Sequence, residues 1–298
     1  MPKAHKKTRK LPVTTSGPRQ PHTTVSSASS SRPTATRTVI RRFHVLIKRR
    51  AQLEKAIQRG DAVVDGVEPR AALRDVEREI EELGGLGAYQ RMSSIGQGSD
   101  RGGGSEKVLI EWLKELGVHR TARESKKKLQ LLEVGALLPD NYESCANWIE
   151  NTPIDLRSRH PSIREQDFLL MDETENREKW DIISLSLVLN FAPDSRDRGR
   201  MLRLAHSMLL EDGLLFLALP LPCILNSRYL TPEHLDGLLQ TIGLSIIKSR
   251  WKEGGKMAYW LLRKSAAIAP TTATSTTMYQ KKTELRKGKR NNFAILLR

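Results

Sequence analysis

Residues 244–264 read LSIIKSRWKEGGKMAYWLLRK and decide the fold, because they hold two strand-like segments with only Glu253, Gly254 and Gly255 between them. Both segments are rich in the aliphatic and aromatic residues that strands favour. A crossover between parallel strands needs about a dozen residues or more, whereas a β-hairpin needs a turn of only about two to five. The sequence therefore predicts that the last two strands lie antiparallel.

Upstream of this hairpin, strand and helix patterns alternate, which is typical of a parallel sheet with helices on both faces. Thr231 and Pro232 mark the start of the last helix. The predicted strands cover residues 129–134, 153–156, 166–170, 180–191 and 214–220, and the predicted helices cover 142–150, 196–210 and 231–242. Together with the hairpin, this pattern predicts an α/β fold with a seven-stranded sheet, in which six strands are parallel and the last is antiparallel.

Four regions follow from the composition of the chain. Residues 1–38 are mostly Ser, Thr, Pro and basic residues, which cannot offset the entropy of folding, so a disordered basic tail is predicted. Residues 39–104 hold two amphipathic helical patterns and a Gly/Ser-rich segment; this helical accessory region either packs on the main domain or docks substrate. The α/β domain covers residues 105–264 and begins with a helix at 106–116. Residues 265–298 are predicted to form a basic C-terminal tail.

The net charge of +16 lies at the two ends of the chain. Residues 1–50 carry thirteen Lys and Arg and no acid, residues 265–298 carry seven against Glu284, and the segment between them carries thirty against thirty-three acids. Basic arms on a domain that is not basic indicate attachment to a polyanion, with a strong dependence on salt. Nucleic acid fits better than a membrane surface, because the tails hold few apolar or aromatic residues to insert into lipid.

The sequence argues against a secreted, membrane-spanning or metal-dependent protein. Cys145 and Cys223 are too few for a disulfide framework and have no Cys or His at metal-ligand spacing. No apolar run reaches the about eighteen residues of a membrane span, and MPKAHKKTRK at the start lacks the apolar stretch of a signal peptide. We expect a soluble intracellular protein without a structural metal. The clusters KKTRK and KKTELRKGKR are compatible with a nuclear or nucleolar address.

Residues 131–142, LLEVGALLPDNY, place Glu133 near the end of a predicted strand and follow it with a single glycine, Gly135. A loop that cradles a pyrophosphate would carry two more glycines where this chain has Leu-Leu-Pro at 137–139. The expected ligand therefore requires the acid and one glycine but offers no pyrophosphate. The missing glycines and the terminal hairpin also disfavour an NAD-binding oxidoreductase.

The strand plan and the final hairpin make residues 126–264 resemble the class I S-adenosylmethionine-dependent methyltransferases. That resemblance implies S-adenosyl-L-methionine as cofactor, which has no pyrophosphate and so does not need the missing glycines. It also implies that Glu133 lies near the methionine portion of the cofactor and that Gly135 gives backbone room to approach. The alternative for Gly135 is that it only turns the chain.

Asp155 and Asp167 stand at the ends of the second and third predicted strands. Asp155 follows Glu133 by 22 residues, close to the ~20-residue interval at which an acid meets a ribose in nucleotide-binding βαβ units. By the same resemblance, Asp167 would contact the adenine amino group and Phe168 would lie against the adenine ring. Any one of these acids could instead be a cap or a solvated residue. Three acids in this order favour a cofactor site.

A first candidate substrate loop follows the fourth predicted strand and reads NFAPD. It resembles a divergent form of the Asn/Asp-Pro-Pro-aromatic motif of methyltransferases that act on the amino groups of bases. Asn190 would orient the edge of a base, and Phe191 would stack on its face. The alternative is that Asn190 caps a turn and Phe191 packs in the core.

A second candidate substrate loop follows the fifth predicted strand and reads LPLPCILNSRYLTPEHL. Asn226 offers a polar contact, Arg228 a phosphate-binding charge, and Tyr229 a ring that can stack on a base. The strand plan places this loop beside the same cleft as the first loop.

Several unusual strings in order make the chain resemble one family more closely: the fungal large-subunit (25S) rRNA adenine-N1 methyltransferases, which are related to a metazoan S-adenosylmethionine sensor. The resemblance implies Gly135 and Asp155 as cofactor contacts, and methylation of an adenine N1 in large-subunit rRNA during ribosome biogenesis. It implies rRNA or a pre-ribosomal particle as partner and the nucleus and nucleolus as location. The alternative, a non-catalytic sensor that acts on a protein partner, is disfavoured by the basic tails. The strings lie within residues 88–231: AYQRMSSIGQG, LLEVGAL, PDNY, TPIDLRSRHPSIREQDF, WDIISLSLVLNFAPDSRDRGRML and LLFLALPLPCILNSRYLT.

Overall fold

A seven-stranded sheet forms the centre of the protein in the computed structural model, which describes residues 33–85, 87–88, 104–158, 160–265 and 278–298. Its strands are β1 (Leu129–Val134), β2 (Ile149–Asp155), β3 (Arg164–Glu165), β4 (Trp180–Ser186), β5 (Leu209–Pro220), β6 (Leu244–Trp251) and β7 (Met257–Lys264). They lie in the order β3-β2-β1-β4-β5-β7-β6. β7 runs antiparallel to both of its neighbours, and the other pairs are parallel. The predicted sheet of six parallel strands and one antiparallel strand is confirmed.

Helices cover both faces of the sheet and form the accessory region before it. The α-helices are α1 (Pro33–Arg59), α2 (Pro69–Glu82), α3 (Ser105–Glu115), α4 (Val118–Glu124), α5 (Glu173–Asn176), α6 (Ser195–Met208), α7 (Pro222–Leu225) and α8 (Pro232–Thr241). Two short 3₁₀ helices, Glu143–Cys145 and Phe168–Leu170, lie in the connections that follow β1 and β3. Each of the described helices is too short or too polar to cross a membrane.

Alternate residues of the strands pack into two hydrophobic clusters, one on each face of the sheet. Leu131 of β1 belongs to a cluster that includes Trp112 of α3, whereas its neighbour Leu132 belongs to a cluster that includes Met208 of α6. Both leucines are fully buried. Burial on both faces explains why the inner strands read as nearly continuous apolar runs.

The start of α8 and the terminal hairpin form as the sequence predicts. The Thr231 hydroxyl accepts a hydrogen bond from the backbone N–H of His234 at 3.1 Å, which caps the helix. β6 and β7 pair antiparallel along their whole length, and β7 then pairs with β5. The hairpin therefore completes the sheet beyond β5.

Residues 278–298, here named the C-terminal segment, pack against the α/β domain. Phe293, Ile295 and Leu297 are at most 5% exposed and belong to the core cluster on the α6 face. The prediction of a flexible basic tail over residues 265–298 is therefore wrong for this segment, because its apolar run FAILL buries itself beside α6. Burial of apolar side chains offsets the entropy that would otherwise keep a basic segment disordered.

Two predicted elements around β2 and β3 differ from the structure. The helix expected at 142–150 is one 3₁₀ turn, and β2 already begins at Ile149. The backbone N–H of Leu129 donates to the Trp148 carbonyl at 3.0 Å, so pairing with β1 starts before the expected strand. β3 has only two residues, and most of the strand expected at 166–170 is 3₁₀ helix. Sheet pairing and burial outweigh local propensity at both places.

The accessory region contains the two predicted helices. α1 begins at Pro33, so the prediction of disorder is wrong for residues 33–38, and residues 1–32 lie outside the described part of the chain. Phe43 and Leu46 are buried and anchor α1, and the cooperativity of helix formation extends it toward its start. Most of the predicted Gly/Ser-rich segment also lies outside the described residues.

Ion pairs connect the accessory helices to each other and to the α/β domain. Arg42 of α1 forms two hydrogen bonds with the Glu79 carboxylate of α2, one of them at 2.6 Å. Lys55 near the end of α1 forms an ion pair with Asp194, the residue just before α6. The end of α1 therefore lies beside the loop that follows β4.

Candidate active site

The carboxyl edge of the parallel strands brings three predicted site residues to one region. Glu133 of β1 lies in register with Pro153 of β2 and Ser184 of β4. Asp155 ends β2, and Asn190 lies in the loop that follows β4. The sheet order reverses at β1, since β2 lies on one side of it and β4 on the other. Ligands of open α/β sheets bind outside the carboxyl ends of strands at such a point.

Glu133 is a buried carboxylate, only 6% exposed, that joins two neighbouring elements. Its Oε1 accepts a hydrogen bond from Asn141 Nδ2 at 2.6 Å, and its Oε2 accepts one from Asn151 Nδ2 at 2.8 Å. Burial raises the pKa of Glu133 to about 7, although the two hydrogen bonds oppose this shift. The side chain thereby fixes the loop after β1 to β2.

Two further acids act on Glu133 through their charges. Glu106 and Asp140 both contribute to its raised pKa, and burial followed by the charge of Glu133 raises the pKa of Tyr142 well above its usual value. The Ser105 and Ser186 hydroxyls are 2.6 Å apart, so the start of α3 lies at the end of β4. The charges of Glu106 and Asp140 around Glu133 favour a cationic ligand at this edge.

Gly135 turns the chain out of β1 with a φ of +78°. The backbone N–H groups of Gly135 and Ala136 donate to the Ile154 carbonyl at 2.8 and 3.0 Å. A Cβ added to Gly135 would lie 2.9 Å from the Val188 Cγ2 atom. The turn and the close approach of the β4 loop thus both require glycine. Contact between Gly135 and a cofactor stays a prediction.

The other predicted cofactor residues differ in accessibility. Asp155 and Asp167 are half-buried, and each accepts a backbone hydrogen bond, from Arg157 at 2.9 Å and from Leu169 at 2.8 Å. Asp167 follows β3 by two residues and caps the 3₁₀ helix. The Phe168 ring is 3% exposed and packs in the core. In this structure it offers no open face for an adenine ring.

The loop after β4 contains a buried polar atom that has no partner among the described residues. Asn190 is 8% exposed, and its Oδ1 atom accepts no hydrogen bond from that part of the chain. Leu187, where the loop begins, has a φ of +59°, a strained conformation for a residue other than glycine. Phe191 is half-buried and its N–H donates to the Val188 carbonyl at 3.0 Å. Backbone strain and an unpaired buried acceptor are both typical of functional sites.

In the second candidate loop, Arg228 is engaged by the C-terminal segment. Its guanidinium donates to Asn292 Oδ1 at 2.6 Å and to the Gly288 carbonyl at 3.1 Å. Asn226 is exposed, and Tyr229 is half-buried with the cations of Arg228 and Lys282 about 6 Å from its ring centroid. The Arg228 guanidinium is therefore hydrogen-bonded within the protein, and its contact with phosphate stays a prediction.

Arg198 and Arg286, which the sequence reasoning missed, hold the two loops in place. Arg198 is buried in α6, donates to the Ala192 carbonyl at 2.8 and 2.9 Å and to the Ala294 carbonyl at 2.6 Å, and lies 4.3 Å from the Phe293 ring centroid. Burial lowers its pKa to about 10, so it stays a cation at neutral pH. It therefore fixes the β4 loop to the C-terminal segment.

Arg286 does the same for the loop after β5. It donates to the backbone carbonyls of Ile224, Leu225, Ser227 and Leu230. The buried Ser227 hydroxyl donates to the Phe293 carbonyl at 2.5 Å. The only sequence signal for this arrangement is the apolar FAILL run beside the basic residues.

The described residues contain no group of three or more His, Cys, Asp or Glu side chains that could hold a metal ion. Both cysteines are free thiols, one buried and one half-buried. The side chains that the carboxyl edge brings together are thus carboxylates and amides. Such groups suit a ligand with hydroxyl, amino and cationic groups.

Residues 74–295 match the family model described as "25S rRNA (adenine(2142)-N(1))-methyltransferase, Bmt2". The chain belongs to this family. The 25S rRNA adenine-N(1) methyltransferase of Schizosaccharomyces pombe is 35% identical over 228 residues, which are 75% of this chain and 78% of that protein. The 25S rRNA (adenine(2142)-N(1))-methyltransferase of Saccharomyces cerevisiae is 34% identical over 225 residues, which are 74% of this chain and 63% of that protein. The family resemblance read from the sequence is confirmed.

Among solved structures, this chain is similar to an S-adenosylmethionine-dependent methyltransferase from Clostridium acetobutylicum. The match covers 60% of this chain and 99% of that chain, with 13% identity and a TM-score of 0.44. The family match begins within α2 and extends through residue 295. It therefore includes most of the C-terminal segment, whereas α1 lies before it.

Proposed function

We propose that this chain transfers the methyl group of S-adenosyl-L-methionine to N1 of an adenine in large-subunit rRNA during ribosome biogenesis. The observation that carries the proposal is the match of residues 74–295 to the rRNA adenine-N1 methyltransferase family, on a sheet with the strand plan of class I methyltransferases. The names of both yeast relatives describe the same reaction. Basic residues at the chain ends support rRNA or a pre-ribosomal particle as partner and the nucleus and nucleolus as location.

The acidic edge of the sheet fits a cofactor that carries positive charge. Glu133, with Glu106 and Asp140 near it, would face the methionine portion, whose positive charge would offset the burial and the neighbouring negative charges that raise the pKa of Glu133. Asp155 would accept hydrogen bonds from the ribose hydroxyls, and Asp167 would accept one from the adenine amino group. When bound, S-adenosyl-L-methionine supplies an electrophilic methyl group on its sulfonium.

Asn190 is the residue that would orient the target base. Its Oδ1 atom is buried and has no donor within the described ranges, and the exocyclic amino group of adenine is a donor beside N1. Phe191 would stack on the base. Adenine N1 carries its own lone pair at neutral pH, so the site needs to align the base and exclude water rather than supply a strong base. Because N1 lies on the Watson–Crick edge, a paired adenine must first leave its helix.

The experiment that tests the proposal measures transfer of a labelled methyl group from S-adenosyl-L-methionine to an unmodified large-subunit rRNA transcript. The wild-type chain should label the RNA. Asp155→Ala should weaken cofactor affinity in a calorimetric titration, because the ribose loses its carboxylate partner. Asp75→Ala is the matched control, since it removes an exposed carboxylate from α2.

Cofactor binding without any RNA methylation would contradict the enzyme proposal and favour a sensor. Equal cofactor affinity in the Asp155 variant and the wild type would remove Asp155 from the proposed cofactor site. Circular dichroism should show that both variants are folded, because neither carboxylate is buried in the core.

A further inference from the structure

A cleft of about 450 Å³ lies beside the loop that follows β4. Three parts of the chain line it: the end of α1, residues 194–196 at the start of α6, and the C-terminal segment. Its volume is in the range of ligand-binding clefts, so it can take more than a single ion. The mechanism proposed above uses none of its residues.

The lining of this cleft is strongly basic. Among the described residues that line it, Asp194 is the one acidic side chain, Leu296 is the one large apolar side chain, and none is aromatic. A cleft of this composition cannot stack a nucleobase, but it can bind an anionic backbone. Its cations are Lys55, Arg59, Arg196, Lys281, Lys282 and Arg298.

Only part of this positive charge is neutralised within the described chain. Lys55 pairs with Asp194, and Arg59 approaches Asp61 at 3.2 Å. Arg196 and Lys281 are exposed and form no ion pair within 4 Å of a carboxylate of the described residues, although the charge of Arg196 acts on Asp194.

Further cations lie near the cleft residue Lys282. Partial burial and the charges of Arg198 and Lys282 lower the pKa of Lys48. Positive charge that the protein itself leaves uncompensated raises the local concentration of a polyanion.

The position of the cleft relates it to the proposed target base. Arg196 follows Asn190 by six residues, and Asp194 directly follows the NFAP string of the substrate loop. Lys282 lies 5.7 Å from the ring centroid of Tyr229 in the second loop. RNA with one base at Asn190 would therefore extend its backbone toward these cations.

We propose that this cleft binds the phosphate backbone of the RNA next to the target adenine. The inference rests on the proposed function, because it assumes that the base lies at the β4 loop. It assigns to α1 and the C-terminal segment a role in holding substrate. It also decides between the two roles left open for the accessory region, in favour of substrate docking.

The test compares RNA binding by two double variants at several salt concentrations. Arg196→Gln with Lys281→Gln removes two unpaired charges from the cleft. Lys127→Gln with Lys128→Gln removes the same charge from exposed positions just before β1, where the amino end of this strand lies opposite the carboxyl edge. The probe is the unmodified large-subunit rRNA transcript, bound by the full chain and followed by filter binding and by methylation kinetics.

The slope of log affinity against log salt is negative, and its magnitude should be smaller by about 1.4 in the cleft variant. This corresponds to a roughly tenfold loss of affinity at physiological salt. The KM for RNA should rise, while kcat and cofactor affinity stay near the wild-type values. The control pair should change the slope by much less.

An unchanged slope in the cleft variant, with RNA methylation intact, would overturn the cleft proposal and leave the proposed function standing. Equal losses in both variants would also overturn it, because the effect would then belong to net charge. If the wild-type chain binds the RNA but does not methylate it, the proposed function fails. In that case, a weaker salt dependence of RNA binding in the cleft variant, with an unchanged control pair, would still support the cleft as an RNA site.

Discussion

Gly199→Ala tests the docking of the C-terminal segment, because two effects of opposite sign meet at this position. Gly199 lies inside α6, where alanine favours the helix by about 1 kcal/mol over glycine. An added Cβ would lie 1.9 Å from the Leu296 carbonyl oxygen, and Cβ contacts under 3.0 Å essentially do not occur. The backbone of the segment must therefore move by about 1 Å.

That movement disturbs two hydrogen bonds of the C-terminal segment. The Leu296 N–H donates to the Ser195 carbonyl at 2.8 Å, and Arg198 donates to the Ala294 carbonyl at 2.6 Å. Overpacking of this kind costs about 1–3 kcal/mol, and each lost hydrogen bond costs about 1 kcal/mol. If one of the two hydrogen bonds is lost, its cost cancels the helix gain, and Gly199→Ala should lower the free energy of unfolding by about 1–3 kcal/mol.

Urea unfolding of the wild type and the variant measures this difference, provided that the slope against urea is the same for both. RNA methylation should also fall, because Arg198 connects the segment to the β4 loop, while cofactor affinity should change little. A variant that is as stable as the wild type, or more stable, would refute the reasoning: it would show the helix preference acting alone, with no docked segment against α6.

Three further predictions follow from the same contacts. Gly237→Ala should destabilise the protein, because its Cβ would lie 2.3 Å from Tyr279 Oη, and Tyr279→Phe should recover most of the loss in a thermal double-variant cycle; additive effects would argue against this packing. The pKa of Glu133 is about 7 in the folded protein against ~4.3 in the unfolded chain. The contribution of this side chain to stability is therefore complete below about pH 4 and is lost as the pH rises through about 7. Glu133→Gln should therefore flatten the fall in Tm over that range, and parallel Tm curves for the two proteins would contradict the assignment. Asn190→Ala should lower kcat for RNA methylation roughly 10- to 100-fold, about 1.4–2.8 kcal/mol, with Tm and cofactor affinity nearly unchanged; a variant that loses cofactor binding would place Asn190 in the wrong role.

The sheet topology could be predicted because local features determine it. The short Glu253-Gly254-Gly255 connection permits only a hairpin, whereas the shift in the register of β6 with β7 between Ile246 and Lys248 has no such local signal. Thr231 with Pro232 gave the start of α8 for a similar reason, since capping depends on a few neighbouring residues. Glu133 could be placed near the end of β1 because the run LQLLEV is largely apolar, and Asp155 could be placed by its interval of 22 residues from Glu133.

The C-terminal segment could not be placed, because its contacts join residues far apart in the sequence. Asn291 pairs with Ser227, and Arg286 binds the carbonyls of the same loop. Charge counting treated the basic residues of this segment as a solvated arm, whereas Arg286 is bound to backbone and the apolar run is buried. The shortness of β3 and the burial of the Phe168 ring could not be predicted for a related reason, because tertiary packing rather than local pattern determines both.

The atom that receives the methyl group decides the proposed function, and nucleoside mass spectrometry of the reacted rRNA identifies that atom most directly. The transcript is treated with the wild-type chain and S-adenosyl-L-methionine, then digested at or below neutral pH, because N1-methyladenosine rearranges to the N6 isomer in base. We predict N1-methyladenosine in the treated RNA and none in the untreated RNA. Methylation at N6, methylation of another base, or unmodified RNA despite bound cofactor would contradict the account.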